Sequence, residues 1–200
     1  MKFWRPELYY YDTMEVFEME KFAGRFLTML LEEMRRQKKT KTLFLCIGTD
    51  RSTGDSLGPL IGYKLMERKI KNAKIVGTLD SPIHALNLEY CIKGIRKDYS
   101  DHVIVAVDAS VGNVENIGYV TLGRGSLKPG LGVCKDLDAV GDLFITGIVG
   151  ASKSGDPLML QSVRLSVVMR LADCISKSIY LGMGAIGKHV ENFSVSPSLF

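Results

Sequence analysis

Apolar residues recur along this chain in two rhythms, and their alternation lays out its elements. Within residues 12–37, Phe17, Phe22, Phe26, Leu27, Leu30, Leu31 and Met34 recur at spacings of three and four, the apolar stripe of a helix. The stripe stops in the basic Lys38–Lys41 region. Residues 42–47 form a continuous apolar run that ends at Gly48, the pattern of a short strand covered on both faces. A polar loop over residues 49–56 leads into a predicted helix over 57–70, with Pro59 near its first turn, where a missing N–H costs nothing. Residues 74–79 read as a second strand. Pro82 opens a connection to a helix over 83–96, and residues 102–107 (HVIVAV) read as a third buried strand closed by Asp108.

The order strand, helix, strand, helix, strand argues for a parallel sheet with helices on both faces. After it come a moderate strand over 117–122, the glycine-rich GRGSLKPGLGV and an apolar strand over 143–149. Asp156 and Pro157 supply an N-cap and a first-turn proline. Leu160, Val163, Val167, Leu171, Cys174 and Ile175 then line one face of a long C-terminal helix. Residues 190–200 have no period and read as a flexible tail. No linker or repeat divides the chain. The expected fold is one α/β/α domain over residues 1–200, a three-layer sandwich on a mostly parallel twisted sheet, with residues 1–40 as an N-terminal helical extension.

Composition narrows the class. With 200 residues, 46% of them hydrophobic, the chain can bury about 70% of its unfolded surface and needs no metal or disulfide for stability. Disordered, collagenous and disulfide-scaffold proteins are excluded. Cys46, Cys91, Cys134 and Cys174 form no Cys-x-x-Cys pair, so no zinc site is expected from them, and free thiols fit a reducing compartment. The N-terminus lacks the apolar core and cleavage site of a secretory signal. Residues 158–186 are interrupted by Arg164, Arg170, Asp173 and Lys177, whereas a membrane span needs about 20 mostly apolar residues. A soluble intracellular protein is expected.

The net charge of +4 is uneven. Arg35, Arg36, Lys38, Lys39 and Lys41 fall in one short window; without those five the 26 basic residues become 21 against 22 acidic, a net of −1. The stretch reads foremost as a solvated helix end, where cations suit the helix dipole, with a nucleic-acid or membrane contact as the alternative.

Ligands of open parallel sheets bind beyond the carboxyl ends of strands. Two carboxylates fall there: Asp108 ends the third strand, and Asp55 lies in the loop after the first. Right-handed crossovers allow those strands to be neighbours, which would bring both to one rim. A close carboxylate pair raises one pKa, so that one group holds a proton while the other accepts one from water. The helix start beside Asp55 favours its ionised form, which makes Asp55 the base and Asp108 the acid. A helix cap and a strand-end turn residue are the plain alternatives, and a divalent cation held between the two is a third. Thr49, Arg51, Ser52 and Thr53 line the same loop, but no P-loop or G-x-G-x-x-G pattern supports nucleotide binding. His84 is expected to start a helix near the rim, either capping it or orienting substrate or water together with Asn87. His102 reads as structural. The segment KPGLGVCKDLDAVGD is either a wall that receives an extended peptide or an irregular surface loop.

Gly48, Thr53, Asp55 and Leu57-Gly58-Pro59, then Asp108-Ala109-Ser110, then Pro129-Gly130-Leu131-Gly132-Val133, resemble the spore germination protease superfamily. The run GTDRSTGDSLGPLIG with SPIHALNL, PGLGV, VGD and ITGIV resembles more closely the YyaC-like sporulation family of spore-forming Firmicutes, over about residues 42–172. The resemblance implies a phosphorylase/hydrolase-like α/β/α sandwich shared with hydrogenase maturation endopeptidases. It also implies an aspartate-dependent endopeptidase with Asp55 and Asp108 at the two essential aspartate positions. Substrate contacts would come from Gly48, Thr49, Arg51, Ser52, Thr53, His84, Asn87, Ser110, Gly130 and Gly132. The hydrogenase enzymes add a histidine for nickel; this chain has none in the loop after the third strand, and no metal or cofactor is expected. The expected partners are a protein or peptide substrate, small acid-soluble spore proteins by the resemblance, and a second copy of the chain in a homo-oligomer. Neither nucleic acid nor membrane is expected, and the compartment is the cytoplasm of mother cell or forespore. A catalytically silent binding protein and a metal-dependent hydrolase on the same fold are the competing functions.

Overall fold

The computed structural model describes residues 7–15, 17–129, 138–151 and 159–193, with residues 187–193 described by their backbone alone. The elements are β1 (Leu8–Asp12), α1 (Met19–Gln37), β2 (Lys41–Cys46), α2 (Leu57–Glu67), β3 (Ala73–Val76), α3 (Leu88–Asp98), β4 (His102–Gly112), β5 (Tyr119–Arg124), β6 (Leu143–Ala151) and α4 (Leu165–Phe193). The strands form one sheet in the order β1-β5-β6-β4-β2-β3. β3, β2, β4 and β6 run parallel, and β5 runs antiparallel to both β1 and β6.

Alternation along the strands sends side chains to two cores. Phe44, Cys46, Val105, Val107 and Ile145 face one side, where Phe22, Phe26 and Leu30 of α1, Leu57, Ile61 and Leu65 of α2, and Val168, Leu171 and Ile175 of α4 cover them. Leu43, Leu45 and Ala106 face the other, under Leu88, Ile92 and Ile95 of α3. The chain is therefore the expected three-layer α/β/α sandwich. The crossover through α2 steps from β2 out to β3, and the crossover through α3 returns past β2 to β4. β2 is thus flanked by β3 and β4, and the strand order reverses beside it, which places a switch point at its carboxyl end.

Several boundaries differ from the sequence reading, each for a tertiary reason. Residues 8–12 form a strand, and the first helix starts at Met19 rather than at 12, because LYYYD pairs with β5 and buries Tyr11. α1 is not an appendage, since its apolar stripe fills the main core. It ends as predicted: Lys38 takes the left-handed conformation (φ 56°), and the Lys39 N–H reaches back to the Met34 carbonyl. The helix expected over 83–96 begins only at Leu88, because Ile83 still bridges Ile47 at the sheet end and residues 84–87 form a turn. β4 runs on to Gly112, five residues beyond the predicted end at 107. α4 starts at Leu165; Leu160 lies before it in a 3-10 turn, and Asp156 and Pro157 are outside the described residues. The helix continues to Phe193, into the stretch read as a tail, and residues 194–200 are outside the described ones.

The far side of the sheet is clamped by Arg124 on β5. Its side chain, 14% exposed, bonds Glu7 at 2.9 Å, Glu32 at 2.6 Å and Glu33 at 3.3 Å. Glu33 is 1% exposed and also accepts from Arg36 and Gln37. Burial pushes its carboxyl up, but the Arg36, Gln37 and Arg124 contacts outweigh this and hold it below the usual 4.5. Arg124→Ala should cost about 2–3 kcal/mol, at or below the loss expected when a buried pair is broken, because Arg36 and Gln37 still hold Glu33. The check is a lower urea midpoint at unchanged slope. A carboxylate with a depressed folded pKa contributes fully above its unfolded value and loses that contribution as pH falls through the folded one. The gap between wild type and variant should therefore be complete above pH 4.5 and narrow below it.

Candidate active site

The site is set by how β2 leaves the sheet. The Ile47 N–H makes the last bond to β4, at the Val107 carbonyl, and the Gly48 N–H turns to the Ile83 carbonyl on the opposite side. Gly48 has φ 137°, and a Cβ there would lie 1.9 Å from the Asp55 carbonyl oxygen. Gly58 shows the same closeness: its Cβ would meet the Ile47 carbonyl oxygen at 2.0 Å. Backbone thus packs on backbone, and the loop folds tightly over the strand end. The Thr49 N–H donates to the Asp55 carbonyl (3.1 Å), the Arg51 N–H to the Thr49 hydroxyl (3.3 Å), and the Ser56 N–H and hydroxyl to the Ser52 and Thr53 carbonyls (3.0 and 2.7 Å). Asp55 sits in a 3-10 turn (Gly54–Ser56) that runs straight into α2.

β2 and β4 are neighbours, with Cys46 in register with Val107. Asp55 and Asp108 consequently share the carboxyl rim, and the charge of one is felt by the other. Asp108 is 6% exposed. Burial first, and then the Asp55 carboxylate, push its pKa well above the usual 3.8; the Ala109 N–H, donating to Oδ1 at 2.8 Å, opposes them weakly. Asp55 is also raised by burial, but the Thr49 N–H and the nearby His84 pull it back. The two carboxyls therefore split: Asp108 is the one that keeps its proton.

His84 lies four residues before α3 rather than at its start. Asn87 fixes this turn by donating to the Pro82 carbonyl (3.1 Å) and accepting from the His84 N–H (2.8 Å). The Leu86 N–H donates to Nδ1 of His84 (3.3 Å), so a neutral ring carries its proton on Nε2. The bridge between Ile47 and Ile83 brings this turn to the rim. Asn87 is thus a positioning residue for His84. His102 is structural as expected, held by Asp101 at 2.6 Å and set edge-on against Tyr99.

Of the remaining candidates, Arg51 is exposed. The buried Ser52 hydroxyl has no partner among the described residues. Ser110 donates to Thr146 (3.1 Å), which is 2.6 Å from the Thr121 hydroxyl, and Thr146 stands in register with Asp108. Of this row Ser110 was expected at the site, while Thr121 and Thr146 escaped the sequence reading; their signal was a lone threonine in each of β5 and β6. Gly130 and Gly132 are outside the described residues. Of the residues flanking that segment, Leu127 bridges Val140, and Asp142 accepts from the Ile104 N–H at 2.8 Å. Those anchors lie toward the amino ends of β4 and β6, at the opposite edge from Asp108. Among the described residues no cluster of three metal-ligating side chains occurs, and no helix is long and apolar enough to cross a membrane.

Fold and site together define an α/β/α protein with a buried Asp108 and a half-buried Asp55 at the switch point of a mostly parallel sheet. The chain belongs to the family described as "Protein of unknown function (DUF1256)", whose model matches residues 9–178. It is 42% identical over 159 residues to "Uncharacterized protein YyaC" of Bacillus subtilis (strain 168), covering 80% of this chain and 78% of that protein. Among solved structures, it is similar to the [NiFe] hydrogenase maturation protease HycI from Thermococcus kodakarensis KOD1, at 16% identity and a TM-score of 0.43, over 74% of this chain and 98% of that one.

Two variants test the local physics. Gly48→Ala meets backbone and a left-handed φ at once, so it should lose at least about 1–3 kcal/mol, read as a melting temperature lower by about 2–4 °C per kcal/mol. Asp108→Asn keeps the shape of a protonated carboxyl without its titration. An acid with a raised folded pKa costs the fold stability as pH rises from its unfolded value through its folded one. Asp108→Asn should therefore melt higher than wild type at neutral pH, with a gap that closes toward pH 3.8; equal melting across that range would contradict the assignment.

Proposed function

We propose that this chain is an aspartate-dependent endopeptidase of sporulating cells, related to spore germination protease, with Asp55 as general base and Asp108 as general acid. The observation that carries the reading is the environment of Asp108, a buried carboxyl raised by desolvation and by Asp55 at the rim where such sheets bind ligands. The resemblance of the Gly48–Pro59 and Asp108–Ser110 motifs to germination protease supports the same roles. Asp55 takes a proton from a water whose oxygen attacks the scissile carbonyl carbon, while Asp108 gives its proton to the carbonyl oxygen. As the tetrahedral intermediate collapses, Asp55 returns its proton to the departing amine nitrogen, the C–N bond breaks, and Asp108 recovers a proton from the hydroxyl. His84, near Asp55, favours the ionised base. The substrate is a protein of the developing spore, the small acid-soluble proteins being the class that the resemblance indicates.

Incubation with spore protein extract tests this. Asp55→Asn and Asp108→Asn should each slow cleavage about 10²–10⁴-fold with the fold intact by circular dichroism, and chelation should leave the rate unchanged. Cleavage by the double variant at the wild-type rate would overturn the reading. The kcat/KM profile should be bell-shaped, rising above pH 3.8 as Asp55 ionises and falling as Asp108 loses its proton.

A further inference from the structure

The amino ends of the parallel strands gather more positive charge than one sequence run supplies. Three helices end there, α1, α2 and α3, each feeding the strand that follows it. The connecting loops are neighbours: Lys41 stands in register with His102, Thr42 with Ala73, and the Thr42 N–H donates to the Asn72 carbonyl at 3.4 Å. Lys74 lies over the Tyr99 ring, 6.0 Å from its centroid. Residues 32–41, 67–74 and 96–102 thus share one edge, with eleven Lys or Arg against five Asp or Glu, a net of +6 in a chain of net +4. Lys38, Lys69, Lys71 and Lys74 are exposed, and left-handed turns at Lys38 and Lys69 (φ 56° and 49°) keep the loops short. A cation or two at a helix end is ordinary, because it meets the negative end of the helix dipole. Three such dipoles supply about −1.5 charges, which leaves roughly four positive charges unmatched. By its side chains every undescribed stretch is neutral or positive, so none of them neutralises this edge.

The residues around the charge select the partner. None of the exposed large apolar side chains lies in residues 38–41, 68–74 or 96–102; the exposed neutral residues there are Thr40, Asn72 and Ser100. A protein interface is built on a buried aromatic or apolar centre, and a membrane contact on apolar side chains pressed among headgroups. A nucleic-acid single strand is gripped by aromatic stacking, and Tyr99 is half-buried, under Lys74 and against His102. A duplex backbone is held by cations and small polar donors alone. We propose that this edge binds the phosphate backbone of double-stranded nucleic acid without reading its sequence. The expectation of no nucleic-acid partner rested on one charge run; the fold joins that run to two others. The edge lies the length of β2 away from Asp55 and Asp108, so a bound duplex leaves the carboxyl rim open, and the inference is independent of the peptidase reading.

The probe is a fluorescently labelled DNA duplex of about two helical turns, titrated by anisotropy from about 50 to 200 mM potassium chloride. Binding should be micromolar at the lower salt, and log Kobs should fall against log salt with a slope of roughly −4, as four to five neutralised phosphates require. A scrambled duplex and an RNA duplex of equal length should bind within about threefold of it. The variant Lys38→Gln/Lys69→Gln/Lys71→Gln/Lys74→Gln keeps the side-chain stems and should weaken binding at least about tenfold and flatten the slope by about 3. Arg164→Gln removes an exposed cation just before α4, at the other end of the sheet, and should change binding less than about twofold. Lysine acetylation of the wild-type protein, read by mass spectrometry, needs no variant: the duplex should protect Lys69 and Lys71 and leave Lys21, in the first turn of α1, as reactive as before. No binding at the lower salt, equal loss in the two variants, protection of Lys21 without Lys71, or tighter binding to phosphatidylserine vesicles or poly-glutamate than to duplex at equal charge would each overturn the inference.

Discussion

At the carboxyl end of β2 there is no room for side chains, and the rest of the site depends on that crowding. A Cβ at Gly48 or Gly58 would lie about two ångströms from a carbonyl oxygen, at Asp55 and Ile47 respectively; one at Gly77 would meet the Cys46 carbonyl at 1.8 Å, and one at Gly62 the Gly77 carbonyl at 2.7 Å. α2 therefore approaches the ends of β2 and β3 closely along its Gly58–Gly62 face, while Leu57, Ile61 and Leu65 pack into the core. The close seat forces β2 to turn out at Gly48, brings Asp55 back over the strand end, and ends the β2–β4 pairing while β4 continues. The location of the base beside the acid is a consequence of these close backbone contacts.

Burial alone would not make Asp108 an acid if the protein surrounded it with donors, since two or three N–H bonds can hold a carboxylate ionised well below its usual pKa. Among the described residues one donor reaches it, the Ala109 N–H. The hydroxyl of Thr146, in register beside it, is engaged with Ser110 and Thr121. That row satisfies its own polar atoms on a sheet face and so keeps the Thr146 hydroxyl from the service of the charge. Asp55 differs by the Thr49 N–H and by His84. The asymmetry of the pair thus comes first from the deeper burial of Asp108, and then from two loops, one after β2 and one after β3, that lower Asp55.

The adjacency of β2 and β4, and with it the shared rim, was legible because short apolar runs ending in glycine or aspartate and separated by helical patterns leave few topologies. What escaped lies where tertiary contacts overrule local pattern. LYYYD carries too few residues to announce an edge strand, and only its pairing with β5 makes it one. Ile83 to Asn87 reads as helix by composition, yet the Asn87 side chain closes a turn and holds Ile83 to the sheet. The glycine-rich segment after β5 read either as a wall for the site or as a surface loop; residues 130–137 lie outside the described ones, and the flanking Leu127 and Val140 pair near the amino ends of β4 and β6. No period in the sequence reports the direction of a strand, and that direction decided which end of the molecule this segment begins from.

The uneven charge gains a physical meaning from the same geometry. Arg35, Arg36, Lys38, Lys39 and Lys41 gather where α1 ends and β2 begins, with Lys41 paired to Asp101 at 2.8 Å beside the first residue of β4. That is the amino end of the parallel strands, with the length of β2 between it and the carboxyl pair. Cations placed at the rim instead would lower both carboxyl pKa values and release the proton that the proposed mechanism needs on Asp108. The rim loop carries one cation, Arg51, which is exposed and so screened by water and salt. Burial and the Asp55 charge raise the Asp108 pKa, and the five-residue basic stretch, at the far end of the strands, does not oppose them.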